Sequence, residues 1–257
     1  MPVRGRVSPR GQMIVRIPWR GVACAVSLSL LLVPAALPQS NSSSSETQLN
    51  PEIDAHVQLP SDLRVLGEAG AQDGAGYPYQ QWYAAVALGY QISRIKTPHL
   101  LNIDPDKEFH WVVGIGYEYL KTTQTGSTTS EDRVTLQVTP GWRFAQDLLV
   151  RDRNRVELRW VDGSYSTTYR NMLSVEWDRI VAGYRFTPYG TVEAFYNGSK
   201  HAWNEWWYTA GVELPFGRRF MVDAYYRRES CRGCTPTNWN VAGLTLNYFC
   251  DVSKRQY

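Results

Sequence analysis

One short stretch constrains this chain more than any other. In residues 82–92, Trp82, Ala84, Val86, Leu88, Tyr90 and Ile92 alternate with Tyr83, Ala85, Ala87, Gly89 and Gln91. A period of two puts the first set on one face of an extended strand and the second set on the other. The same period recurs at residues 111–119, 134–142, 156–160, 173–177, 186–196, 206–214, 220–226 and 242–248. Two weaker segments, 53–59 and 63–71, precede these, and no helical period stands out between Pro51 and Phe249. Links rich in Gly, Ser and Thr, at 72–76, 124–130 and 197–200, read as hairpin connections. The expected fold class is all-β and antiparallel.

Two architectures bury one face of every strand. A sandwich turns the apolar face inward, and a membrane barrel turns it outward. The aromatic residues separate them. With the C-terminus on the periplasmic side, Trp82, Tyr119, Trp160, Tyr196, Trp206 and Tyr226 fall at one rim, and Trp111, Trp142, Trp177 and Tyr248 at the other. Two such rows, about ten residues apart along tilted strands, match the girdles that flank a lipid-facing band about 25 Å tall. The expectation is a single antiparallel transmembrane β-barrel over residues 52–249. Eleven segments are visible, but bacterial single-chain barrels have even strand numbers. About twelve strands are therefore expected, with ten as the alternative and residues 97–108 as the place for an overlooked hairpin. The short link at 215–219 is expected on the periplasmic side, and longer links after Thr123 and Glu229 outside.

A mean hydropathy of −0.38 excludes a bundle of membrane helices and leaves a barrel open. Arg4, Arg6, Arg10, Arg16 and Arg20 precede the first acidic residue, Glu46, and an apolar run follows at residues 21–37. That order is a secretory signal peptide, residues 1–40 with cleavage between 35 and 40, followed by a Ser-rich linker at 41–51. The competing reading is an anchoring helix, for which the run is barely long enough; Pro34 and the lack of a second apolar run favour the signal peptide. The net charge of +3 becomes −2 without those five arginines. No basic patch then points to nucleic acid. Export would put Cys231, Cys234 and Cys250 in an oxidising compartment, Cys24 lying within the leader.

Several motifs follow in a recognisable order: Arg151-Asp-Arg-Asn-Arg-Val-Glu-Leu-Arg-Trp160, Tyr169-Arg-Asn-Met-Leu173, Arg185-Phe-Thr-Pro-Tyr-Gly-Thr-Val-Glu-Ala-Phe-Tyr196 and Tyr208-Thr-Ala-Gly-Val-Glu-Leu-Pro215. Over roughly residues 52–249 the chain resembles the bacterial family DUF2490, whose members are predicted outer-membrane β-barrels. The resemblance implies a barrel fold and an outer-membrane location; it implies no catalytic residue. The partners of such a barrel are outer-membrane lipid and, during insertion, the barrel-assembly machinery. The chain departs from the family at its Ser-rich start, at a Cys231-Arg-Gly-Cys234 loop and in a tail of residues 250–257. Phe249 and Tyr257 compete as the C-terminal assembly signal.

Strand phasing points Arg133, Arg143, Arg153, Arg155, Arg159, Arg170, Arg185 and Arg227 inward, with Asp54, Glu118, Glu157, Glu176, Glu193, Glu205, Glu213, Asp223 and Glu229. The candidate lumen lining is Arg155, Glu157, Arg159, Glu176, Arg185, Glu193, Glu213, Asp223 and Arg227. Near-equal numbers of each sign favour a network of cross-strand ion pairs filling a narrow barrel over a strongly ion-selective pore. Cys231 and Cys234 are candidates for a loop-stapling disulfide; a redox pair or half a zinc site finds no supporting residues nearby, and Cys250 is left over. The histidines are His56, His99, His110 and His201, and no Gly-x-Ser-x-Gly elbow accompanies them. No catalytic residue, metal or cofactor is therefore assigned. The expected function is a narrow channel or structural barrel. The alternatives are a lipid-modifying enzyme, using His56 or His110, and a soluble periplasmic lipid-binding barrel.

Overall fold

The computed structural model describes residues 45–95, 103–145 and 147–252. The expected signal peptide, residues 41–44, His99 and the tail from 253 onward lie outside the described residues. Twelve strands follow in chain order: β1 (Ser45–Gln58), β2 (Leu63–Gly74), β3 (Tyr79–Arg94), β4 (Phe109–Gln124), β5 (Ser127–Arg143), β6 (Leu148–Val161), β7 (Ser164–Trp177), β8 (Arg179–Val181), β9 (Tyr184–Asn197), β10 (Ala202–Phe216), β11 (Phe220–Cys231) and β12 (Asn238–Asp251). A 3₁₀ helix, Pro105–Glu108, precedes β4.

Strands β1 to β7 pair antiparallel in succession, β9 follows β7, and β10 to β12 continue the sheet. Strand β12 then pairs with β1, from Ser45 opposite Asn238 to Gln58 opposite Asp251, and closes a barrel. This closing pair is parallel, which corrects the all-antiparallel expectation. The cause is parity: the wall has eleven strands, and the ten successive reversals between them leave the first and last strands running the same way. The eleven periodic segments are these eleven wall strands. The remaining strand, β8, is three residues long and pairs with β9 outside the wall. The described part of the link suspected of hiding a hairpin holds the 3₁₀ helix instead.

Strand β1 begins at Ser45, so residues 45–51 are wall and not linker. Their alternation is masked because the buried parity is polar: Gln48 and Asn50 point inward while Leu49 and Ile53 point out. Two turns at the rim where β1 begins, Thr125-Gly126 and Asp162-Gly163, have two successive positive φ angles (49° and 83°; 46° and 82°). These are the primed hairpin turns whose twist matches the flanking strands. The link after Thr123 is thus tight, contrary to expectation. The long link at residues 95–108 lies at the opposite rim, with the 217–219 turn.

The outer face is apolar. Leu49, Val86, Leu88, Ile115, Leu136, Leu173, Val175 and Leu244 are all exposed there. The predicted aromatic residues bound this belt. Trp82, Trp206 and Tyr226 are exposed near one rim and Trp111, Trp142 and Trp177 near the other, while Trp160 and Tyr248 are half-buried against Tyr165 and Phe220. One polar cluster interrupts the belt on β6 and β7. There Asn171 donates to Asp152 (2.6 Å) and Tyr169 donates to Asn154 (2.5 Å).

Eight strands leave an interior that side chains just fill, and sixteen leave an open channel. Eleven strands therefore call for large inward residues. Tyr83, Tyr189 and Tyr225 lie across Gly70, Gly211 and Gly243 on the facing strands. A Cβ at Gly243 would fall 2.0 Å from the Tyr225 ring, so only glycine fits beneath it.

Candidate functional site

The densest chemistry is on the inner face of β5, β6, β7 and β9. Arg133 and Arg159 sit directly opposite one another, a like-charge pair that is unfavourable alone. Glu131 resolves it, meeting Arg133 at 2.9 Å and Arg159 at 2.5 Å. Arg133 also reaches Glu118 at 3.0 Å. Arg170 pairs with Glu157 at 2.8 Å and grips Glu193 with two nitrogens, each at 3.0 Å. Its guanidinium stacks on Phe195 (4.4 Å) and faces Trp207 (5.0 Å). Arg153 joins Glu193 at 2.8 Å. On β11, Arg227 pairs with Glu229 at 2.7 Å and covers the other side of Trp207 at 4.2 Å. Glu157 is 1% exposed and Glu193 4%. Charges buried to that degree persist only when paired and hydrogen-bonded.

The described end of the long link, residues 103–108, also contributes to the interior. Lys107 enters the barrel mouth from the 3₁₀ helix and its Nζ meets Glu176 and Glu213, each at 2.6 Å. Its neighbours Asp104 and Asp106 hold Arg64 of β2 at 2.7 and 2.6 Å. Asp104 also caps the 3₁₀ helix by accepting from the Asp106 backbone. Burial pulls the Lys107 ammonium down, but Glu176 and Glu213 outweigh it and hold it above the usual lysine range. Burial likewise pushes Asp104 up, and Arg64 and Lys107 reverse that, leaving it below the usual carboxylate range. Both groups are thus charged and locked at neutral pH.

Of the predicted lining residues, Arg155, Glu157, Arg159, Glu176, Glu193, Glu213, Asp223 and Arg227 all face the interior. Asp223 accepts from Tyr189 at 2.9 Å rather than joining an arginine, and Arg155 bonds Gln137 at 2.9 Å. Arg185 does not join them. It is exposed on the β8–β9 hairpin opposite Ile180, where the strand has run past the wall and its parity no longer marks an interior. The phasing missed Arg64, Glu52, Glu68 and Glu131, whose segments alternate weakly, and Lys107, which no strand period marks. The Asp104-Pro105 start of a helix was the one available signal there.

His56 accepts from Arg64 at Nδ1, donates from Nε2 to Asn247 (3.0 Å) and stacks on Phe249 at 4.4 Å. His110 bonds the Gly141 carbonyl at 3.1 Å. Both contacts tie histidine to the framework. Cys231 and Cys234 are joined in the β11–β12 link. That link packs against Tyr77 of the β2–β3 turn and Gln124 at the end of β4, both donating to the Thr235 carbonyl. Cys250 is free.

A comparison with curated proteins found no match. A family model described as "Protein of unknown function (DUF2490)" matches residues 53–240, from the middle of β1 to the start of β12. The match takes in nine complete wall strands and the whole Arg–Glu network, and the chain therefore belongs to the DUF2490 family.

Proposed function

We propose that this protein is a bacterial outer-membrane β-barrel forming a narrow channel, stoppered at one mouth by Lys107. The observation that carries the reading is the buried Lys107 clamp between Glu176 and Glu213, set inside a barrel whose outer face is an exposed apolar belt. A belt of this kind between aromatic rows suits lipid contact. The leader routes the chain for export, lipid covers the belt, and the barrel-assembly machinery inserts it. No cofactor or catalytic step is part of this reading. The paired charges of β5–β9 narrow the lumen, and the stopper makes the resting state closed.

The test is conductance of the full mature chain refolded into planar bilayers, with folding followed by heat-shifted gel migration. Wild type is expected to open rarely at neutral pH. Lys107→Ala is expected to raise the open fraction about tenfold, the factor that a lost bias of about 1.4 kcal/mol supplies. Recovery of the exported protein in the soluble fraction would contradict the membrane reading. A folded, inserted Lys107→Ala variant as silent as wild type would contradict the stopper and leave a purely structural barrel.

A further inference from the structure

Part of the interior charge has no counter-ion among the described residues. On β1 and β2, Asp54 lies directly opposite Glu68, two residues from Glu52. None of the three makes an ion pair with any described residue, although Arg64 and Arg227 on nearby strands are spoken for by Asp104, Asp106 and Glu229. Like charges facing each other across a strand pair repel. Asp54 is 8% exposed and its Oδ1 has no hydrogen-bond partner; on the same face Asn50, 3% exposed, has a free Oδ1. Unpaired acceptors buried this deeply are costly. They are aimed into the interior beside the three carboxylates.

The mirror image stands on β6. Arg155 has Gln137 as its only hydrogen-bond partner among the described residues and makes no ion pair. On a ring of eleven strands, β2 and β6 stand four apart, close to facing. Arg155 and Glu68 feel each other's charge without touching. The wall between them, β3 and β4, has small inward residues beside larger ones such as Tyr83 and Glu118. Its inward residues include Ala85, Ala87, Gly114 and Gly116, which project at most a methyl group. Glu68 is half-buried.

We propose that this recess binds a short zwitterion, with its ammonium on Glu52, Asp54 and Glu68 and its carboxylate on Arg155. An ammonium supplies three donors, one of them to the Asp54 oxygen that has none, while Glu52 already accepts from the Tyr83 hydroxyl. A carboxylate matches the planar fork of a guanidinium. A metal ion fits less well, because the described acidic residues are not grouped as a metal cage. The idea rests on the proposed lumen being the working surface, and it names the class of solute that the lumen would recognise.

The test is calorimetric titration of the refolded full mature chain in detergent micelles, which needs neither a bilayer nor an open channel. The probes are alanylalanine and L-alanine, with ethylamine and propionate as half-ligands. Saturable binding of at least one zwitterion is expected, at least about tenfold tighter than either half-ligand. Glu68→Gln and Arg155→Gln, nearly isosteric, should each weaken it about tenfold. Ala87→Leu should block it by filling the recess, while gel migration reports that all three variants fold. Ethylamine binding as tightly as the zwitterions would overturn the proposal in favour of a plain cation site. Absence of saturable binding by both zwitterions would overturn it outright. Binding without conductance would sink the channel reading alone, and conductance without binding would sink this site alone.

Discussion

The inner faces of β5–β9 and of β1–β2 both bury charge, and they do so in opposite ways. On β5–β9, Arg133, Arg153, Arg159 and Arg170 each have carboxylate partners within 3.0 Å, and Glu157 and Glu193 bridge several strands. On β1–β2, Asp54 and Glu68 face one another with no cation between them. The first arrangement is a zipper: apart from Arg155, its arginines and glutamates compensate one another, so it serves closure and rigidity. The second stores repulsion and leaves acceptors orphaned. A fold keeps such a local conflict where something from outside resolves it. The wall that divides the two, β3 and β4, has small residues at several inward positions, among them Ala85, Ala87, Gly114 and Gly116.

Substitutions of opposite sign separate the two faces. The largest effect is expected from Glu157→Ala, which strips Arg170 and Arg133 of a shared buried partner. A loss of about 3–5 kcal/mol, read from urea unfolding in lipid vesicles, is the cost of stranding a buried charge. Glu193→Gln removes charge from the same zipper but leaves Arg170 its bond to Glu157. About 2 kcal/mol should be lost, in line with charge-assisted hydrogen bonds. On the other face the sign reverses. Asp54→Asn relieves the repulsion with Glu68 and should gain up to about 1 kcal/mol by the same urea assay. If Asp54→Asn destabilised the barrel as much as Glu193→Gln does, the two faces would not differ in kind.

The smallest effect is expected from pH, acting on the stopper between the two faces. The folded-state value of Asp104 is depressed, so its contribution is complete above the ordinary carboxylate value of about 3.9 and fades as pH falls below it. The folded-state value of Lys107 is raised, so its contribution is complete below the ordinary lysine value of about 10.4 and fades only as pH climbs beyond that. Cleavage of the 95–108 link by proteases active at each pH should therefore stay constant from pH 5 to 9, as both ordinary values lie outside that range, and increase in stronger acid. A stopper that loosened between pH 6 and 7 would mean that some other group holds it.

Much of the wall was legible because a strand with one apolar face advertises its parity. Residues 82–92 show it cleanly, and each periodic segment became a wall strand. Strand β1 was harder to read, since Gln48, Asn50 and Glu52 make its inner parity polar and Pro51 interrupts it. The even-number rule moved the expected count to about twelve; the structure has twelve strands, and the eleven visible in the periodicity are those of the wall. The zipper was legible too, because Glu157, Arg159 and Glu193 sit on strongly alternating strands. Arg185 went wrong where parity outlived the wall. Lys107 and its clamp were invisible, because a side chain reaching in from a link obeys no period. Pairing was also beyond reach: that Arg133 finds Glu131 and Glu118, while Glu68 finds no ion pair among the described residues, depends on register across strands distant in sequence.

The central claim is that the apolar parity faces lipid and the charged parity faces an aqueous interior. Spin labels at two adjacent positions on β5, Leu136→Cys and Gln137→Cys in a Cys250→Ser background, test it directly in vesicles. Leu136 is outward and 47% exposed, and Gln137 is inward beside Arg155. The account predicts a label at 136 that is relaxed by oxygen and shielded from a water-soluble nickel complex, with the reverse preference at 137. Strong nickel relaxation at 136, or the same response at both positions, would contradict it.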